Sequence, residues 1–233
     1  MTPLTQTHAA HQWQPESLGR RLPRSLRHAR DLTTARRIVA TAEEIFSEQG
    51  LAGARMDEIA RAAKVNKALL YYYFRSKEEL YRFVLDTLLS QLRSGVGEPG
   101  IAALSAQKQL ASMVDHFFDF VTQHPNYPRL IQREMMSHGP NVEWIVSEYY
   151  RPLHKTLVQL IERGTSAGEF RRVDTQNTAL TIVSIMVFYF SAAPVLSLIL
   201  GHDPLQPREV AKRRKAVQDF LEHGLFQPGA GTR

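Results

Sequence analysis

Between Thr33 and His223 apolar residues recur at intervals of three and four, and nowhere do they alternate long enough for a convincing strand. Such a chain can bury its apolar surface only as packed helices. Ile38, Ala42, Ile45 and Phe46 mark a first helix, which Gly50 is expected to stop. A short second helix is expected over Met56 to Ala63, and Lys64-Val65-Asn66 turns into a third from Lys67 to Phe74. Ser76 with Glu79 three residues on reads as a capping box that opens a long fourth helix to about Arg93. After the breaks at Gly95, Gly97, Pro99 and Gly100, helical spacing resumes over Ser105–His124, Tyr127–His138, Val142–Arg163, Gln176–Ser191 and Arg208–His223.

Charge is distributed unevenly along this pattern. Residues 1–77 carry 13 Lys/Arg against 7 Asp/Glu, whereas residues 78–233 carry 16 of each, so the whole net charge of +6 lies in the first third. Concentrated basic charge suits a phosphate-binding surface, because neutralised phosphates release condensed counterions; a solvated basic face without a partner has the same composition. Residues 1–30 lack periodicity and carry Arg20, Arg21, Arg24, Arg27 and Arg30, the pattern of a flexible basic arm. Such an arm can follow a narrow minor groove, and an idle tail or a misassigned start would look alike.

Met56 to Phe74 meets the packing demands of a helix-turn-helix. Ala60 supplies the small residue where two short helices cross, and Ile59, Val65 and Leu70 form the cluster that locks them, with Phe74 facing the first helix. The outward positions of the second short helix are then Asn66, Lys67, Ala68, Leu69, Tyr71, Tyr72 and Tyr73. Neighbouring residues on a helix point about 100° apart, so three consecutive tyrosines cannot all be core. At least one presents its hydroxyl outward, where a groove-reading helix contacts bases and phosphates. A helical hairpin inside some other all-α core would show the same letters.

The run Phe46…Gly50…Met56-Asp57-Glu58-Ile59-Ala60…Ala63-Lys64-Val65-Asn66-Lys67-Ala68-Leu69-Leu70-Tyr71-Tyr72-Tyr73-Phe74-Arg75-Ser76-Lys77-Glu78-Glu79-Leu80 closely resembles the N-terminal domain of the tetracycline-repressor (TetR) family. The resemblance covers roughly residues 33–90. It implies base contacts at Lys67, Ala68 and Tyr72, and phosphate contacts at Tyr71, Tyr73 and Lys77. Two positions depart from the family pattern. Lys64 stands in the turn where glycine is usual and φ tends to be positive, and Arg55 stands where Ser or Thr caps the second helix. Arg55 is expected to grip phosphate but not to cap, and Asn66 completes the set expected at DNA.

From Thr175 to Gly201 no residue is charged. That length could span a bilayer, but polar residues punctuate it, Pro194 interrupts it and no second span exists. A helix apolar on most faces is also expected where one face packs the core and another a partner subunit. The resemblance favours the second reading, since the family's last two helices pair into a four-helix homodimer interface; no membrane partner is expected. Two recognition helices would then read the two halves of a palindromic operator in double-stranded DNA. An effector pocket is expected among the helices of residues 105–191, lined by Phe117, Phe120, Met136, Trp144, Tyr150, Phe188 and Tyr189, with Arg133 as a polar contact and a small, mostly apolar molecule as effector. His116, Glu134 and His138 are further polar candidates, though aromatics of this kind are also what helical cores are made of.

Other function classes find little support. Gly95-Val96-Gly97-Glu98-Pro99-Gly100 has the letters of a dinucleotide fingerprint but follows a helix instead of a strand. There is no cysteine, no HExxH and no nucleophile-elbow setting, so catalytic residues, metal and cofactor are all expected to be absent. No secretory signal is visible, and a cytoplasmic place is expected. The expected architecture is therefore all-α: a basic arm over 1–30, a three-helix DNA-binding domain over 31–77, a helical effector-binding and dimerisation bundle over 78–225, and a tail over 226–233. The expected function is a transcriptional regulator, a repressor released from its operator by the effector through movement of the fourth helix. A DNA-binding regulator without a small-molecule ligand, controlled by abundance or a protein partner, is the alternative.

Overall fold

The computed structural model describes residues 29–96, 99–136 and 138–227, so most of the expected arm and tail lies outside it. Its helices are α1 (Ala29–Gly53), α2 (Met56–Ala62), α3 (Lys67–Tyr73), α4 (Lys77–Ser94), α5 (Pro99–Ala102), α6 (Ala106–Gln123), α7 (Tyr127–Met136), α8 (Val142–Ile145), α9 (Arg151–Ser166), α10 (Thr175–Ser191), α11 (Ala193–Leu200) and α12 (Pro207–Leu225). The fold is all-α. Among the described residues the only β pairing is an isolated antiparallel bridge between Phe170 and Phe226. The chain divides into two compact units, residues 1–87 and 88–233, and α4 is continuous across the division.

In the first unit α1 buries Ile38, Val39, Ala42 and Phe46 along one stripe, the three larger side chains contributing roughly 1.5–3 kcal/mol each. Gly50 kinks this helix, at φ 71° and ψ 177°, a conformation open essentially to glycine alone, and one further turn follows to Gly53. The α2–α3 turn closes by two reversed hydrogen bonds: Val65 N donates to Ala60 O at 2.9 Å and Lys64 N to Arg61 O at 3.1 Å. That is a Schellman ending whose left-handed residue is Lys64, with φ 53°. At α4, Ser76 Oγ accepts from Glu79 N at 3.0 Å, as a capping box requires, but the Glu79 carboxylate reaches back to Arg75 N instead of Ser76 N.

The second unit is built on α6, whose Leu110, Val114, Phe118 and Val121 are buried at helical spacing. Asp174 caps α10 by accepting from Asn177 N at 3.0 Å, a bond that holds its carboxyl below the ordinary carboxylate value. The uncharged run does not form one rod. It breaks after Ser191, and α10 and α11 are bent by 72°; among the described residues no single helix is long and apolar enough to cross a membrane. Pro194, read from sequence as an interruption of the run, lies just past this break in the first turn of α11, where its missing N–H costs nothing. A π-turn over Val146–Tyr150 joins α8 to α9 without leaving helical dihedrals.

Candidate nucleic-acid interface and effector cavity

The first candidate site is the outer face of α2–α3. Ile59, Leu70 and Phe74 are fully buried and Ala60 sits at the crossing, so the remaining faces of α3 are fixed in direction. Lys67 and Ala68 are exposed, and Tyr71 and Tyr72 show 41% and 62% of their surface. Tyr73, expected to point outward with them, does not: it is only 5% exposed, its ring edge-on to Tyr72 at 5.7 Å and tilted against Phe74 at 6.5 Å. The third of three adjacent tyrosines falls on the core stripe with Leu70, three residues earlier.

Three polar residues of this face have structural partners. Asn66 caps α3, its Oδ1 accepting from Leu69 N at 2.7 Å, a role that Asn immediately before a helix signals in sequence. Lys77 donates to the carbonyls of Ala52 and Ala54 at 3.3 and 3.1 Å, bracing the α1–α2 connection, so its expected phosphate contact meets a competing partner. Lys67 pairs with Asp57 at 2.8 Å, both side chains about 60% exposed, and the hydrogen bond to Asp57 raises the lysine's pKa. Water screens such a pair strongly, so it can open when a better anion arrives. Arg55 is exposed at the start of α2 and makes no side-chain cap there.

The second candidate site is a cavity of about 570 Å³ in the C-terminal unit, walled by α4, α6, α7, α9 and α10 with the end of the π-turn. Helix α7 contributes Pro128, Ile131, Gln132, Met135 and Met136, one stripe at three- and four-residue spacing. Helix α4 contributes Leu92 with Val96 just beyond it, α9 contributes Leu153, His154 and Leu157, and α10 contributes Leu180, Val183 and Met186. No Asp, Glu, Lys or Arg is among the lining residues. Two phenols meet in the wall, the hydroxyls of Tyr127 and Tyr150 lying 3.4 Å apart. Burial pushes the pKa of Tyr127 well above the ordinary phenol value and raises that of Tyr150.

Of the residues expected in a pocket, Phe117, Met136 and Tyr150 line this cavity. The others lie elsewhere. Phe120 packs behind the wall against Tyr127 and His124, at 4.9 and 4.8 Å. Trp144 stands edge-on to Tyr149 at 5.5 Å. Tyr189 donates to Pro204 O at 2.7 Å beneath the Arg213 guanidinium. Phe188 is 63% exposed, and Arg133 lines a neighbouring groove with Arg129 and Asp203. Among the polar candidates, His116 lines the cavity and its Nε2 donates to Leu92 O at 3.0 Å, with the ring so close to Gly95 that a Cβ there would overlap it. Glu134 is buried and accepts from Asn141 N at 2.9 Å, and His138 is exposed at φ 48°. The residues that sequence reasoning missed, on α4, α9 and α10, form stripes indistinguishable in sequence from ordinary core.

Beside the cavity, Tyr149 and Tyr150 face different ways. Tyr150 lines the cavity, while Tyr149 meets Ser90 on α4, hydroxyl to hydroxyl at 3.0 Å, with the Arg93 guanidinium 5.2 Å above its ring. Arg93 also donates to Glu148 O at 3.3 Å. The π-turn therefore has one tyrosine on the cavity and the next on α4.

Family models match both parts of the chain: bacterial regulatory proteins of the tetR family over residues 38–84, and the tetracyclin repressor-like C-terminal domain over residues 107–221. The chain is 27% identical to the transcriptional repressor NicS of Pseudomonas putida, over 81% of this chain and 90% of that protein. It is 30% identical to the transcriptional activator FasR of Mycolicibacterium smegmatis, over 76% of this chain and 78% of that protein. Among solved structures, a transcriptional regulator of Streptomyces coelicolor, SCO4942, superimposes with a TM-score of 0.63 at 26% identity, covering 84% of this chain and 99% of its own. With the helix-turn-helix face and both family models in place, the chain belongs to the TetR family of DNA-binding transcriptional regulators.

Proposed function

We propose that the protein is a homodimeric repressor that leaves a palindromic operator when a small, mostly apolar molecule fills the cavity of its C-terminal unit. The observation that carries this reading is the outward set on α3, with Lys67, Ala68, Tyr71 and Tyr72 exposed on a helix whose other face is locked by buried Ile59 and Leu70. Lys67, Ala68 and Tyr72 contact bases; Tyr71 and Arg55 contact phosphate; Asn66 and Lys77 serve the interface mainly by holding α3 and α4 in place. Tyr73 is withdrawn from the contact set because it is core.

The homodimer uses α10 and α12, which leave Phe188 and Phe220 exposed at 63% and 58%. Exposed aromatics of this size are typical anchors of a subunit interface. NicS, a repressor by name, supports repression, and the FasR activator makes a reporter assay necessary to fix the sign. The apolar cavity, with a mouth bordered by exposed Met136 and Leu180, favours ligand gating over control by abundance alone. Filling it loads Leu92 directly and Tyr150 beside Tyr149, so the C-terminal end of α4 takes up the change. Two recognition helices held about 34 Å apart would lose that spacing, and operator affinity would fall.

Fluorescence anisotropy of the purified chain on duplex from upstream of its own gene, against scrambled duplex at two salt concentrations, tests the reading. Preference of about a thousandfold or more for one duplex is expected of a specific regulator. Equal, steeply salt-dependent binding to both would place the operator elsewhere, and absence of binding to either would refute the interface.

A further inference from the structure

The cavity contains a chemical preference finer than its apolar character. Its wall has no acid, lysine or arginine, and two imidazoles, His116 and His154, are the sole groups in it able to oppose an anion by charge, so a charged group carried inside would be poorly compensated in apolar surroundings. Into the same wall come two phenols, Tyr127, which is only 6% exposed, and Tyr150, which is half-buried. Their oxygens stand 3.4 Å apart, well beyond the distance of about 2.7–2.8 Å that O–H···O bonds favour. Even if one donates to the other, the contact uses a single phenolic proton, and among the described residues no other acceptor meets the second. A fully buried donor left unmet costs on the order of 1–3 kcal/mol, a penalty that applies in full to Tyr127 and in part to the half-buried Tyr150. Burial keeps both phenols protonated at neutral pH, so both are donors.

Among the described residues the other polar groups of the wall do not bond to these hydroxyls: His116 is committed to Leu92 O on α4, Gln132 lies exposed on α7, and the half-buried His154 on α9 makes no hydrogen bond to either phenol. Four methionines, Met113, Met135, Met136 and Met186, make up much of the remaining wall. Unbranched thioethers adapt to irregular apolar shapes and discriminate weakly among them. Discrimination therefore rests on the phenol pair, with His154 as a further partly buried polar group of the wall not tied to α4.

We infer that Tyr127 and Tyr150 form a two-donor seat for one uncharged acceptor oxygen, so that the effector is an apolar molecule bearing a carbonyl group, neither a bare hydrocarbon nor a carboxylate. The inference rests on the proposed use of the cavity as the effector site. A cavity of about 570 Å³ falls within the roughly 300–1,000 Å³ that encloses molecules of this class. An acceptor between the hydroxyls would take both protons and relieve the long contact. The same oxygen would bear on Tyr150, whose neighbour Tyr149 touches Ser90 on α4, so recognition and transmission share one turn of chain.

The test is displacement of the neutral dye N-phenyl-1-naphthylamine from the full chain by benzophenone, diphenylmethane and diphenylacetate. These are similar in size and differ in their oxygen chemistry. In the unaltered protein benzophenone should displace the dye about a hundredfold more tightly than diphenylmethane, the effect of two well-made hydrogen bonds. In Tyr127→Phe and in Tyr150→Phe that ratio, read within each variant so that changes in cavity size cancel, should fall to about tenfold, and in the double variant to about two or less. A ratio unchanged in either single variant overturns the paired seat. Displacement by ketone and hydrocarbon alike, or best by diphenylacetate, overturns the carbonyl preference while leaving the cavity as effector site. Failure of the dye and of all three probes to bind would sink the cavity reading as well.

Discussion

Tyrosine serves opposite ends in the two units. On α3, Tyr71 and Tyr72 expose 41% and 62% of their surface on a basic face, available to a partner as large as a DNA duplex. In the C-terminal unit Tyr127 is 6% exposed and shares an apolar wall with Tyr150, available only to something small enough to enter. The side chain is the same, an apolar ring with one polar tip, and the surroundings decide which part is used. Outside, the hydroxyl competes with water and gains by geometry. Inside, few protein groups compete for it, so the phenol pair becomes a selector. The contrast is sharpest within a single helix, since Tyr73 follows Tyr72 directly and is core.

That contrast can be broken by substitution. Tyr73→Ala should cost roughly 3–5 kcal/mol of stability, as large-to-small aromatic changes in a core do. Urea unfolding followed by circular dichroism checks it; a change below about 0.5 kcal/mol would mean the ring is not core. Tyr72→Ala should instead leave stability within about 0.5 kcal/mol and weaken operator binding by about 1–3 kcal/mol, with scrambled duplex affected less. Anisotropy on the two duplexes reads the difference, and unchanged discrimination would remove Tyr72 from the base contacts.

Smaller effects concern the supports. Lys77→Met leaves the carbonyls of Ala52 and Ala54 without their donor and should lower stability by about 1 kcal/mol. If the side chain served phosphate alone, the loss would show only as a flatter salt dependence of DNA binding. Lys64→Gly removes the left-handed strain of a side chain at φ 53° and should stabilise by about 0.5–1 kcal/mol, after allowing for glycine's larger unfolded-state entropy. For a chain of this size that raises the melting temperature by about 1–4 °C. No gain would mean that Lys64 is repaid by a contact on this face.

Within the first unit, most of the structure is a consequence of neighbours in sequence. Ala60, Leu70 and Phe74 meet because they are close along the chain, Ser76 and Glu79 because a capping box needs only one turn. The positive φ at Lys64 follows from a motif that has no alternative geometry. The cavity is a different case. Its wall gathers Leu92, Phe117, Met135, Leu157 and Met186, spread across nearly a hundred positions and five helices. Each belongs to a stripe that would serve equally well as solid core. Phe120 and Trp144 failed as pocket residues for that reason, and Phe188 because an exposed aromatic and an enclosed one have identical letters.

By itself, then, the sequence determined that the chain is all-helical, where its recognition helix lies, and that Arg55 cannot cap α2. These depend on period, on turn chemistry and on contacts within one or two turns, where the physics is local. Tertiary structure decided which tyrosines of α3 are exposed and which is core, and that a space remains between helices whose stripes would serve equally well closed on each other. Packing leaves or fills a void according to how several helices settle together, and no single stretch of chain carries that information.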